Sequence, residues 1–280
     1  MQDAFAYCAE LVRQADRDRF LASLFAPAEH RGALHALYAF NIEIARVREV
    51  AREVLPGEIR LQWWREVIDG ERSEEAQANP VAAALLGTIK RYSLASPKLF
   101  NILIDAREFD LYDDPMATLA DLESYATQTS SALITLAVQI LGVDAEAAAQ
   151  PAGIAYAITG LIRAFPQHAA RRQLYVPVEL LERFAVQPQA AFARQPSAGL
   201  NEALGEFRAL ARRHLHAAHE LMTELPAAAL PAFLPVALVR PMLDRLDRCD
   251  AFAPDELSLW RRQWLIWRAA RDPVRIAGEL

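Results

Sequence analysis

The stretch His30–Glu49, HRGALHALYAFNIEIARVRE, decides how the rest of this 280-residue chain is read. Ala33, Leu37, Phe40, Ile44, Val47 and Val54 fall on one stripe, mostly at alternating gaps of three and four, which predicts an amphipathic helix with one buried face. Pro27-Ala28-Glu29 supplies its start, since proline is tolerated at a helix entry.

Outward from that helix the chain reads as helical almost throughout. Residues 3–25 predict a first helix with Ala4, Cys8, Leu11 and Val12 inward and a polar break over Asp16 to Arg19. After an interruption at Pro56-Gly57, Glu58–Asp69 resumes the pattern, with Ile59, Trp63, Val67 and either Leu61 or Trp64 expected inside and Gly70 as the stop. A polar loop over residues 71–79 follows. Pro80 opens a helix to Tyr92, and Ser96-Pro97 opens the next, with Leu99, Ile102, Leu103, Ala106 and Phe109 as its buried side. Thr118 and Asp121 form a near capping box at the head of a helix ending at Gly142. Ala152–Phe165 is helical and stops at Pro166, and Arg171–Pro177 is extended. Leu180–Phe184 is a short helix, Gln187–Ser197 a loop and Leu200–Leu225 a long helix. Short pieces lie over Pro226–Pro235, and helices follow over Leu234–Arg248 and Leu257–Ala270. No segment alternates as strands do, and no fixed-period repeat is evident. The expected fold is all-α, a single domain over residues 1–280, a bundle of about ten helices around a central cavity.

Composition narrows the function classes. Hydrophobic residues at 53% supply a sizeable core, and a net charge of −6 argues against a general nucleic-acid binder. Cys8 and Cys249 have no CxxC spacing and read as free thiols of a reducing compartment. No secretion signal and no apolar run of about 20 residues is evident, so the expected location is cytoplasmic, at most peripheral on a membrane face.

Three stretches carry a family resemblance. ASLFAPAEHR with LYAF, RLQWWREV, and GIAYAITGLIRAFPQHAARRQLYVP resemble the conserved blocks of the squalene/phytoene synthase family in order and spacing, from about residue 18 to about residue 270. The resemblance implies an isoprenoid-synthase-type helical fold. In the family's enzymes it also implies two aspartate-rich helices holding Mg²⁺ against an isoprenyl diphosphate, so that charge on the leaving group is offset. The first such motif here is degenerate, with Glu43, Ala45, Arg46 and Glu49. So is the second, with Arg163, Ala164, Gln167 and His168, and no carboxylate occurs from Leu161 to Leu174. Fixed positive charge repels a metal ion, a unit pair at ~4 Å being worth about 4 kcal/mol at an effective dielectric near 20. The resemblance is greatest to the branch of this superfamily that lacks the aspartate boxes and serves assembly of respiratory complex I.

A non-catalytic assembly or interaction factor is therefore expected, with no metal and no cofactor, and respiratory-complex subunits or assembly proteins as partners. A eukaryotic form would belong in the mitochondrial matrix. Two other readings stay open. One is a prenyltransferase condensing isoprenyl diphosphates with Mg²⁺, and the other is a binder of an isoprenoid diphosphate or a phospholipid. Arg46, Arg163, His168, Arg171, Arg172 and Tyr175 are the candidate anion-binding group, weighed against solvated charge at helix ends. Asp105, Glu108, Asp110, Asp113 and Asp114 read as a solvated acidic face with room for a divalent cation. His216 and His219 share a helix face that His214 does not join, a weak metal signal. Trp260, Trp264 and Trp267, flanked by arginines, are read either as a bundle-closing face or as a peripheral membrane contact.

Overall fold

The computed structural model describes residues 2–51, 53–94 and 97–276, and among these the secondary structure is helical with no strand. In chain order the helices are α1 (Gln2–Ala15), α2 (Arg17–Ser23), α3 (Ala28–Ala45), α4 (Val47–Val50), α5 (Val54–Ile68), α6 (Ser73–Ala78), α7 (Pro80–Tyr92), α8 (Pro97–Glu108) and α9 (Leu119–Ala126). They continue as α10 (Ala132–Ile140), α11 (Glu146–Arg163), α12 (Phe165–Ala170), α13 (Val178–Arg183), α14 (Pro188–Phe192), α15 (Ala198–Met222), α16 (Leu230–Phe233), α17 (Val239–Leu246) and α18 (Leu259–Arg271). The start expected at Ser96 lies outside the described residues. The chain divides into two compact units: Met1–Tyr112 with Ala132–Glu146 and Leu225–Pro235, and Asp113–Ser131 with Ala147–Glu224 and Val236–Leu280.

In the first unit α3 is the hub. Neighbours α1, α2, α7, α8 and α10 pack around it, so Ala33 to Ile42 and Ile44 are all buried. The expected one-sided helix is thus corrected to one buried all round, the pattern of a core helix. Alanines at 33, 36 and 39 keep it slim, and Phe40 meets Trp64 edge-on at 5.1 Å and Phe100 at 5.8 Å. Burying rings of this size contributes roughly 2–3 kcal/mol each.

Helix α3 also ends sooner than expected. Arg46, at φ −93° and ψ 4°, leaves helical geometry, and Glu49 lies on the separate short helix α4. Helix α5 begins at Val54, four residues before the expected restart, because Pro56 falls in the first turn where no N–H is required. Its buried face is Gly57, Leu61, Trp64 and Val67, whereas Ile59 is 62% exposed, so the expected inward face is rotated. At Gly57 a Cβ would stand 2.5 Å from Leu111 Cδ2, so a larger residue there would push the leucine side chain aside. The loop expected over residues 71–79 contains α6. Helix α7 starts at Pro80 as expected, capped by Asn79 Oδ1, which accepts from the Val81 and Ala82 N–H groups.

In the second unit Thr118 and Asp121 form a full capping box at the head of α9. The expected single helix from there to Gly142 is interrupted by a π turn, Thr127–Ser131. Ser131 Oγ donates to the Gln150 carbonyl of α11 at 2.7 Å, and α11 presents Gly153 to the same serine. Pro166 does not stop a helix but sits in the first turn of α12. The loop expected at Gln187–Ser197 contains α14. Helix α15 packs against α13 and α17. Ala227–Leu246 is long and apolar enough to cross a membrane by composition, contrary to the sequence reading; 72% of its most apolar window is buried, and it is built of several short turns.

Candidate functional site

The first degenerate motif sits at the end of α3. The Glu43 carboxylate accepts from Arg60 Nη2 of α5 at 2.6 Å, neutralising it within the first unit. Ala45 ends α3, and Glu49 Oε2 lies 3.7 Å from Arg46 Nε. Beside them a largely apolar cleft of about 450 Å³ is lined by Glu43, Ala51, Ile59, Arg60, Trp63 and Asn79 among others. Trp64 is buried and Trp63 is half-buried, its Nε1 donating to Glu75 at 3.0 Å.

The second degenerate motif belongs to the second unit. Arg163 closes α11, Ala164 joins it to α12, Gln167 is exposed and His168 is half-buried. The His168 ring lies 4.6 Å from that of buried Tyr175, which meets Tyr125 at 5.6 Å. Arg171 and Arg172 are exposed at the following turn. Arg172 takes a left-handed φ of 58°, and its guanidinium rests over the Phe192 ring at 5.2 Å. Of the candidate anion-binding group, His168 and Tyr175 are thus brought into contact, Arg172 is turned to an aromatic, and Arg46 belongs to the other unit.

These side chains do not fit a Mg²⁺–diphosphate site. Hard cations need several oxygen donors. Glu43 is committed to Arg60, Glu49 sits past the break at Arg46, and positions 161–174 offer cations in place of acids. Among the described residues no group of three or more His, Cys, Asp or Glu is placed to share a metal. Of the acidic run at the end of α8, Asp105 and Glu108 are exposed and share Arg65 at 2.7 and 2.5 Å, Asp113 and Asp114 are exposed, and only Asp110 is buried, held by Arg107 at 3.1 Å. His214 is paired with Glu123 at 2.7 Å, apart from His216, which faces Glu220 at 3.7 Å.

Two features were missed from sequence. His35 on α3 is buried, and burial, helped by the nearby Arg31 charge, brings its imidazole down to about 4. A run of arginines along α17 joins those of α18 in one cleft; the signal was the spacing Arg240, Arg245, Arg248 ahead of the Trp-Arg helix.

Residues 12–268 match the squalene/phytoene synthase family model, and the chain belongs to that family. It is 33% identical over 275 residues to a Rattus norvegicus protein named NADH dehydrogenase (ubiquinone) complex I, assembly factor 6, covering 94% of this chain and 82% of that one. The Homo sapiens protein of the same name is 32% identical over 247 residues, covering 87% and 74%. The fold matches a crystal structure of a dehydrosqualene synthase in complex with ligand at TM-score 0.84 and 16% identity, over 96% of each chain.

Proposed function

We propose that this chain is a non-catalytic member of the squalene/phytoene synthase family that acts in assembly of respiratory complex I. The observation that carries the reading is the similarity, at 33% identity over 94% of the chain, to a protein named as a complex I assembly factor. The altered motifs support it: Ala45, Arg46, Ala164 and His168 stand where the enzymes need metal-binding acids. The partners are then complex I subunits or other assembly proteins, with no Mg²⁺ or other cofactor. The place of work is the cytoplasmic face of the inner membrane, or the matrix in a mitochondrion. The exposure of Trp260, Trp264 and Trp267 supports peripheral contact with that membrane. Deleting the gene tests the role: assembled NADH dehydrogenase, measured on native gels and by NADH oxidation in membranes, should fall several-fold. Normal assembly in the deletion strain would overturn the reading.

A second reading, prenyl transfer from isoprenyl diphosphates, draws on the fold match to a dehydrosqualene synthase. It separates from the first by pyrophosphate release, and the third, an isoprenoid or phospholipid binder without an assembly role, by normal complex assembly in the deletion strain.

A further inference from the structure

The last two helices of the second unit carry six arginines against one acid, in a chain whose net charge is −6. A cleft of about 690 Å³ along α17 and α18 is lined by Arg240, Arg245, Arg248, Arg261, Arg268 and Arg275, with Asp244 and Asp255 as its acids. Four of these charges are engaged in ion pairs. Arg245 pairs with Asp255 at 2.5 Å and donates to the Glu256 carbonyl, Asp244 faces Arg212 at 3.5 Å, and Arg275 is held by Asp272 at 2.5 Å. Arg240, Arg248, Arg261 and Arg268 have no acidic partner among the described residues. Guanidinium groups gathered this way repel one another until an anion is bound, and their planar forks suit phosphate oxygens.

The same helix turns apolar surface outward. Leu259 is 55% exposed, Trp260 71%, and Trp264 and Trp267 41% each. Only Ile266 and Ala269 of α18 are buried. Arg268 and Arg271 lie over the Trp264 and Trp267 rings at 4.8 and 3.9 Å, so cation and aromatic are held together at the surface. A soluble anion would use the arginines and leave the tryptophans without a purpose. A lipid surface uses both, with indole rings at the headgroup level and arginines on the phosphates.

We propose that α18 lies on a membrane surface and that the arginine cleft takes the phosphate headgroups of anionic phospholipids. The inference deepens the reading above, that the chain works beside a membrane complex. It is tested in vitro, so its failure is separable from a failure of the assembly role, which is read in cells.

The full chain is sedimented with vesicles of phosphatidylcholine alone or mixed with phosphatidylglycerol. Binding is expected to the mixed vesicles only and to fall as salt is raised, a test that needs no substitution. Arg261 is exposed, so Arg261→Glu should leave the fold intact while lowering the partition coefficient roughly tenfold or more. Trp260→Ser should weaken binding to the same vesicles. Equal binding to both vesicle types, or no change in Arg261→Glu, would overturn the headgroup assignment. So would calorimetric binding of inorganic pyrophosphate that Arg261→Glu abolishes in a chain that ignores vesicles, because the anion would then be a soluble one.

Discussion

The His35 ring stacks on Phe20 at 5.4 Å, and its Nε2 lies 2.8 Å from Ser23 Oγ. The serine hydroxyl donates to the Phe20 carbonyl at 2.6 Å, so Nε2 carries the ring hydrogen and donates to the serine. A second proton would place a cation in the core near Arg31, and the ring accordingly titrates at about 4 rather than 6.5. The folded value is depressed, and so the contribution of this ring is complete above pH ~6.5 and is lost as pH falls toward about 4. Its ceiling is roughly 3 kcal/mol, the fall from 6.5 to about 4 expressed as free energy. Urea unfolding at pH 7 and pH 4.5 should show a drop in stability that His35→Gln largely removes. An unchanged drop in the variant would assign the acid sensitivity elsewhere. Nothing in the sequence marked this histidine, because its environment comes from Phe20 and Ser23 on another helix. Arg46 was legible as a substituted metal position, but not as the residue where α3 breaks.

Helix α11 meets the π turn through Gly153, whose absent side chain makes room for Ser131. A Cβ there would lie 2.4 Å from the Ser131 Cα and N, which are backbone atoms that cannot rotate away. Gly153→Ala should therefore cost about 1–3 kcal/mol despite alanine's better helix propensity, read as a fall in melting temperature. A stabilised variant would mean that the two elements separate freely. Most helices could be read from apolar spacing and from start signals, as at Pro80 and Thr118. The misses have separate causes. Proline was read as a stop at 56 and 166, whereas each falls in a first turn. The face of α5 was rotated because Trp63 and Trp64 are equivalent in hydropathy, and only packing against Phe40 selects Trp64. The π turn leaves no hydrophobic signature, since Thr127–Ser131 is uniformly small and polar.

For the whole molecule the sequence carried the fold class and the family, because the conserved blocks span most of the chain in order. What it could not carry was how charges pair. Glu43, a surviving acid of the first motif, is taken by Arg60, seventeen positions away. The purified chain, incubated with farnesyl or geranylgeranyl diphosphate, Mg²⁺ and NADPH, should release no pyrophosphate above the no-protein control. Turnover near the ~1–10³ s⁻¹ usual for enzymes would restore the prenyltransferase reading. The arginine cleft likewise emerged only when α17 and α18 were seen to line one space, since residues 240–248 and 261–275 are separated in the sequence.

The two thiols of this chain are sorted by their surroundings. Cys8 is fully buried on α1 and burial pushes it up to about 12, while Cys249 stands half-buried at the rim of the arginine cleft. An alkylating dye reacts through the thiolate and needs access, so it should enter at position 249 and spare position 8. The unaltered polypeptide thus comes with one labelling point, located where an optical signal would report what the basic helices touch.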